Sequence, residues 1–340
     1  MPDSAQCRPI ASVVVSFWDR RPLSPPPSRS AGQARSGKRS RSRWPCRRPR
    51  PPVRRPDGGH APHASPGPDF QGCDHPDPDH SFEGGRIELN GGACDSWLRA
   101  GDNDDYAIGY YTKKDLAFLG NAAPRWTTCD RYFAAIMAET FPNRVYQHAA
   151  QTDRLTNTTD LSVLPTIWDQ LAGAGLDGRY YFSDVPVLAL WGPKYVSIGR
   201  PIGDFFIDAG AGTLPNVAFV DPSFIGEDVG TSNDDHPHAD IRNGETFLNA
   251  IYRAVTLSPA WSRTVLVFNF DEWGGFFEHV SPPTAPIPPA DQAAGNTDGL
   301  LGFPSNPRPM SRHLQRIEAR EASSQERRCM DAEDDHVTLG

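Results

Sequence analysis

Residues 264 to 280, TVLVFNFDEWGGFFEHV, constrain the fold more than any other stretch of this 340-residue chain. Thr264 to Phe270 carry no charge and are rich in strand-favouring side chains, and two adjacent acids, Asp271 and Glu272, follow. A short unbroken apolar run bounded by turn residues reads as a strand buried on both faces of a parallel sheet under helices. Acids just past the carboxyl end of such a strand lie where open α/β sheets place their ligands. Neighbouring carboxylates in that position repel each other and call for a cation. The Gly274-Gly275 pair allows a sharp turn that returns Glu278 and His279 toward the acids, with His279 as a third ligand or a phosphate contact.

The elements on either side agree with an α/β chain. Glu245 to Leu257 carries Phe247, Ile251 and Val255 at i, i+4 and i+8, the period of a helix that feeds directly into the strand. Pro165 opens a helix over TIWDQLAGAG, and its glycines end it. Asn216 to Val220 and Arg179 to Ser183 read as strands, as does Val185 to Trp191, with Pro186 marking an edge. Thr112 caps a short helix from Lys113 to Phe118. CDRYFAAIMAE (129 to 139) places Tyr132, Phe133, Ile136 and Met137 on one helical face, and Thr140-Phe141-Pro142-Asn143-Arg144 interrupts it. Strands alternating with helices imply an α/β sandwich around a mostly parallel sheet.

Composition divides the chain into three parts. Residues 1 to 67 hold 14 Lys and Arg against 3 acids and are dominated by Arg, Pro and Ser, while the rest holds 20 against 39. The basic segment has too little apolar surface to offset chain entropy and reads as a disordered tail. Residues 68 to 303 form the folded domain, and 304 to 340 a polar C-terminal tail. The acidic body excludes nucleic acid as the main partner, because phosphate contacts need a basic face. No apolar run reaches the ~20 residues that span a bilayer. Ile10 to Trp18 is apolar but too short and too soon followed by charge for a clear signal peptide. Cys73 and Cys94 bracket a Gly-rich loop and could pair in an oxidising compartment.

Three groups of side chains could carry chemistry beside Asp271 and Glu272. Thr140 offers a hydroxyl that becomes a nucleophile if a metal lowers its pKa. Asn143 and Arg144 supply hydrogen-bond donors for anionic oxygens. His75 and His80 sit in DHPDPDHS, and His236 and His238 in DDHPHAD. Histidines two apart share no helix face, so they suit general-acid or phosphate-binding roles better than a closed zinc site.

Taken together, DPDHSFEGG (77 to 85), CDRYFAAIMAETFPNRVYQHA (129 to 149), DDHPHADIRNGETFLNAIYRAV (234 to 255) and TVLVFNFDEWGGFFEHVSPP (264 to 283) resemble the phosphoesterase family of bacterial phosphatidylcholine-type phospholipases C and an acid phosphatase group. That family belongs to the wider alkaline-phosphatase-like fold. The resemblance implies a metal-dependent hydrolase of phosphate esters, either phosphodiester or monoester, with a phospholipid head group or small phosphate ester as substrate. It also implies export from the cell. By the same resemblance Thr140 is the nucleophile, and Asp271 and Glu272 bind a divalent metal (Ca, Mn or Zn). His80 and His236 are catalytic, and Asn143, Arg144 and His279 bind substrate. The chain departs from the family where an N-terminal strand and an E-N-R-S-F-D-H-like segment are expected. The expectation is therefore a mostly parallel, alkaline-phosphatase-like α/β sheet lacking that N-terminal strand. The alternative to an enzyme is a truncated remnant that binds anionic ligands at most.

Overall fold

Alternating side chains on two short strands set the architecture. In the computed structural model, which describes residues 11–17, 70–72, 75–129 and 131–304, Tyr180 and Phe219 point to one side of the sheet. Tyr181, Ala218 and Val220 point to the other. The strands are β1 (Ala11–Phe17), β2 (Gly178–Phe182), β3 (Gly199–Pro201), β4 (Val217–Val220) and β5 (Thr264–Phe270). They run parallel in the order β3-β2-β4-β1-β5. A parallel sheet needs crossovers that cover both faces, and helices supply them here.

One face is covered by α3 (Thr140–Ala149) and α4 (Ile167–Gly173), which bring Phe141, Val145, Trp168 and Leu171 against Tyr180 and Phe219. The other is covered by α5 (Ile202–Ala211) and α6 (Ile241–Thr256), through Phe205, Phe247, Leu248, Ile251 and Val255. Three further helices, α1 (Phe82–Leu89), α2 (Leu119–Ala122) and α7 (Pro289–Ala294), lie in the connections. Among the described residues no helix is long and apolar enough to cross a membrane.

The α/β class and parallel sheet are as expected, but several particulars differ. The N-terminal strand is present: β1 pairs with β4 from Ser12↔Val217 to Val15↔Val220 and with β5 from Ala11↔Thr264 to Phe17↔Phe270. A β-branched run inside an Arg/Pro-rich segment is stabilised by its neighbours in the sheet, not by its own flanks, so local composition hid it. The rest of the basic segment and the C-terminal tail, like the Cys73 half of the expected disulfide, fall outside the described residues. Among the described residues β5 pairs only with β1, and one of its faces is open instead of covered. Leu266, Phe268 and Phe270 pack toward α6, whereas Val265 and Val267 on the other face are 51% and 43% exposed.

The helix expected over 129 to 139 is absent, because its main chain pairs with a distant segment. Ala134 N–H donates to the Phe303 carbonyl at 3.1 Å and Met137 N–H to that of Leu300 at 3.2 Å. The helix begins instead at Thr140, where TFPNR was read as the interruption. Pro142 falls in the first turn, where no intrahelical donor is lost. Val187–Tyr195 is a 3-10 segment with left-handed Gly192 and not a strand. Lys113 to Asp115 form a turn in which the Thr112 hydroxyl donates to Asp115 at 2.6 Å. The α4 start is as expected, with Thr166 and Asp169 forming a reciprocal capping box.

His148, on α3, is fully enclosed by Trp168, Tyr180, Trp191 and Phe219, the last with its ring 4.7 Å away. Burial, reinforced by Arg144, pushes its pKa down to about 3. The folded state keeps this ring neutral while the unfolded chain protonates it below its ordinary value near 6.5. Its stabilisation is therefore complete at neutral pH and declines as pH falls toward 3. Asp221, raised by burial to about 6, acts in the opposite direction over part of that window, so a difference isolates the histidine. Between pH 6.5 and 4.5 the parent chain is expected to lose about 2 kcal/mol relative to His148→Phe, the slope reaching roughly 1.4 kcal/mol per pH unit once the unfolded imidazole is fully protonated. Denaturant titrations across that range check this, and parallel stability curves for the two proteins would refute it.

Candidate active site

Strands β4 and β5 end side by side with β1 between them, and each delivers acids at its carboxyl end: Asp221 after Val220, Asp271 and Glu272 after Phe270. All three acids are buried. This is the edge of a parallel sheet where ligands bind.

The turn after Glu272 is held against the DPDH loop by a missing side chain. Gly275 has φ +71°, and a Cβ there would stand 2.6 Å from the Pro78 carbonyl carbon and oxygen. Glycine is the residue that tolerates both the left-handed backbone and the close approach. From the other direction, α1 binds the two segments together. Its Glu88 accepts the Trp273 indole N–H at 3.1 Å and an Asn103 amide N–H at 3.3 Å. Asn103 Oδ1 in turn accepts the Asp79 N–H at 2.7 Å. Burial pushes the Glu88 carboxyl well above the usual carboxylate range, and its hydrogen bond ties α1 to the residue beside Glu272.

Thr140 enters from α3. It is the first residue of the helix and fully buried, and its hydroxyl donates to Glu272 Oε1 at 3.3 Å. At a helix N-terminus the aligned peptide dipoles favour negative charge, which suits a hydroxyl that must become an alkoxide or hold a phosphoryl group. The helix start is braced by Asn157, whose Oδ1 accepts the Phe141 N–H at 2.7 Å while its own N–H donates to Glu139 at 2.6 Å.

The histidines of the two acidic loops meet at the same place. His80 Nε2 lies 3.6 Å from Glu272 Oε1, and His236 Nε2 lies 3.8 Å from Asp77 Oδ2. The His80 and His236 rings stand edge to face at 6.3 Å. Asp77, His80 and His236 each offer a ligand atom, and these atoms all lie within 4.8 Å of one another. Among the described residues this is the cluster of three or more such side chains able to hold a metal ion, and neither Asp271 nor Glu272 is counted in it. Beside it, buried Asp234 accepts from the Ser232 hydroxyl at 2.7 Å.

Thr140, Glu272, His80 and His236 thus converge as the sequence suggests, and Asp271 lies buried next to Glu272. Three other expected residues are engaged elsewhere. Asn143 accepts the Ile136 N–H at 3.1 Å and donates to the Ala138 and Glu139 carbonyls at 2.8 and 3.1 Å, so both ends of its amide shape the loop before Thr140. Arg144 is fully buried, paired with Asp221 at 2.5 Å and set against the rings of Phe219 and Phe224. His279 is exposed, with Nδ1 2.9 Å from Glu278 Oε1. Asp77 was missed, although its place three residues before His80, between Pro76 and Pro78, was a readable signal of a stiff ligand loop. Nothing local marked Asp221 as the partner of Arg144.

A profile described as the phosphoesterase family matches residues 61–189 and 167–314, most of the chain. The chain belongs to the phosphoesterase family. Among its relatives is non-specific phospholipase C6 of Arabidopsis thaliana, 28% identical over 249 residues, covering 67% of this chain and 48% of that protein. Phospholipase C A of Mycobacterium tuberculosis is 30% identical over 256 residues, covering 62% and 47%. Non-specific phospholipase C4 of Arabidopsis thaliana is 31% identical over 204 residues, covering 55% and 37%. This phosphoesterase chain therefore spans about half the length or less of these relatives.

Proposed function

We propose that this chain hydrolyses phosphate esters, with Thr140 as the nucleophile. The observation that carries the reading is the buried Thr140 hydroxyl at the start of α3, hydrogen-bonded to Glu272 at the carboxyl edge of the sheet. Membership in the phosphoesterase family supports the reaction class. The phospholipases C among its relatives favour a phospholipid head group over a simple monoester as substrate.

The donor chemistry fits a divalent cation. Asp271 and Glu272 are adjacent and only 7% and 6% exposed, and two carboxylates at the rim of a buried sheet are relieved of mutual repulsion by a cation. Their hard oxygens suit Ca2+ or Mn2+ better than Zn2+. Such an ion, when bound, supplies charge neutralisation for phosphoryl oxygens and a lower pKa for a coordinated hydroxyl. The chain's own residues do the rest. Glu272 orients the Thr140 hydroxyl, whose oxygen bonds to phosphorus as its proton passes to the Glu272 carboxylate, and the ester oxygen leaves with its bonding pair and takes up a proton from solvent. The helix terminus favours the resulting phosphothreonine, and attack of water on that phosphorus regenerates the hydroxyl.

The full chain, stripped with a chelator, is expected to turn over p-nitrophenyl phosphorylcholine faster than p-nitrophenyl phosphate. Activity should return on adding Mn2+ or Ca2+, and Asp271→Asn should raise the concentration of either ion needed. Failure to hydrolyse either ester with Mn2+, Ca2+ or Zn2+ would overturn the proposal and leave a remnant of the family.

A further inference from the structure

We propose that residues 161–167 form a docking stripe that seats the protein on a zwitterionic phospholipid surface. The choice of lipid as the occupant rests on the phospholipid reading above, whereas the stripe itself does not depend on Thr140 being a nucleophile.

Alternation is the first argument. From Leu161 to Ile167 every second side chain faces solvent: Leu161 is 65% exposed, Val163 90% and Ile167 41%, with exposed Pro165 between the last two. The side chains between them turn inward, as on an extended chain. Ser162 and Thr166 are buried, and Leu164 packs on the cluster that holds Trp168 and Trp191. The inward side is pinned by hydrogen bonds. Ser162 N–H donates to the Leu190 carbonyl at 2.7 Å, and the Trp191 indole N–H donates to the Leu164 carbonyl at 2.8 Å. The Thr166 and Tyr195 hydroxyls share a hydrogen bond of 2.6 Å. The apolar side is thereby held outward. Single exposed apolar residues are ordinary, but four fixed in one row mark an interaction surface.

Charge selects the occupant. Residues 159 to 169 include two acids, Asp160 and Asp169, and no Lys or Arg. The cation that Tyr195 brings beside the stripe, Lys194, is already bonded to Asp169 at 2.8 Å. Anionic lipid is held by free Lys and Arg, so this stripe suits a surface without net charge. A second copy is disfavoured, because the chain beyond residue 67 carries 20 Lys and Arg against 39 acids and like charges repel. Position links the stripe to the candidate active site. Asn157 accepts the Phe141 N–H at 2.7 Å and donates to Glu139 at 2.6 Å, so it grips the chain on both sides of Thr140. Leu161 follows four residues later, at most about 14 Å away along the chain. Apolar side chains of interfacial segments sink ~5–10 Å below the headgroups. A lipid surface seated on the stripe therefore lies beside the loop that braces the start of α3.

The test is co-sedimentation of the full chain with phosphatidylcholine vesicles that contain no anionic lipid, so that the basic residues 1 to 67 contribute little. Leu161→Asp and Val163→Asp are each expected to lower vesicle partitioning by at least about tenfold. Val163→Trp should raise it several-fold, a gain that misfolding would not produce. All three variants should turn over soluble p-nitrophenyl phosphorylcholine at the parental rate. No vesicle binding by the parent, or equal binding by the parent and both aspartate variants, would overturn the proposal. A parent dimer that Val163→Asp splits, without vesicle binding, would also overturn it and make the stripe a contact between copies. The two readings fail separately. Stripe-dependent vesicle binding by a chain that hydrolyses neither ester would keep the docking surface and sink the proposed reaction. Turnover of the soluble ester by a chain that ignores vesicles would do the reverse.

Discussion

Thr140→Ala is expected to lower turnover of a phosphorylcholine ester by at least about a thousandfold, the scale on which removal of an activated nucleophile acts. The substitution removes the hydroxyl that donates to Glu272 at 3.3 Å and leaves the α3 backbone and its Asn157 brace untouched. Unfolding free energy should therefore move by only about 1 kcal/mol, the usual cost of one lost buried hydrogen bond. Thr140→Ser keeps the oxygen and should retain most of the rate. Acid quenching during turnover should yield a phosphorylated peptide containing Thr140 from the parent and none from the alanine variant. Turnover by Thr140→Ala comparable to the parent, in protein of parental stability, would remove Thr140 from the reaction.

The largest expected effect on stability comes from Arg144 and Asp221. Neither side chain has any exposed surface, and one hydrogen bond of 2.5 Å joins them. Arg144 Nε and Nη1 and Asp221 Oδ2 are buried without a further hydrogen bond among the described residues. Burial raises the Asp221 carboxyl to about 6 against the opposing pull of Arg144. Removing one partner strands the other as an uncompensated buried charge, which typically costs about 3–5 kcal/mol. Arg144→Met and Asp221→Leu should each lower unfolding free energy by that amount, and the double variant should recover most of it. The double variant also decides between two uses of Arg144. If the guanidinium serves only the fold, recovered stability brings recovered turnover. If it binds phosphate, kcat/KM stays low in a stable protein. Additive losses in the double variant would show that the pair is not coupled.

Much of the fold was legible because its signals are local. The period of Phe247, Ile251 and Val255 announces α6, Pro165 ahead of TIWDQLAGAG announces α4, and the uncharged run ending in Asp271-Glu272 announces β5. Each depends on residues within a few positions of one another. The misreadings share the opposite property. Phe133, Ile136 and Met137 carry a helical period, yet their main chain bonds to Leu300 and Phe303. A tertiary pairing thus overrode a local preference. β1 was obscured by its surroundings, and Val265 and Val267 were expected under a second covering layer, whereas their face of β5 is exposed.

The candidate site divides in the same way. Residue chemistry singled out Thr140, Asp271, Glu272 and the pairs His75/His80 and His236/His238, and the family resemblance chose His80 and His236 among them, because hydroxyl, carboxylate and imidazole groups in glycine- and proline-rich turns are recognisable one segment at a time. It could not say that Arg144 is taken up by Asp221, that Asn143 shapes the loop before Thr140, or that His279 lies on the surface beside Glu278. Those facts depend on which buried donor finds which acceptor once every chain segment competes for them.

By itself, then, the sequence determined that this is an α/β chain of parallel strands with acids at a strand's carboxyl end, and it identified the pieces shared with the phosphoesterase family. Strand period, helix period and turn chemistry are written in neighbouring residues. Only the tertiary structure decided that β1 lies inside the sheet, between β4 and β5, and that Asp77 joins His80 and His236. These groups lie far apart along the chain, and the crossovers of a parallel sheet bring distant loops together at one edge.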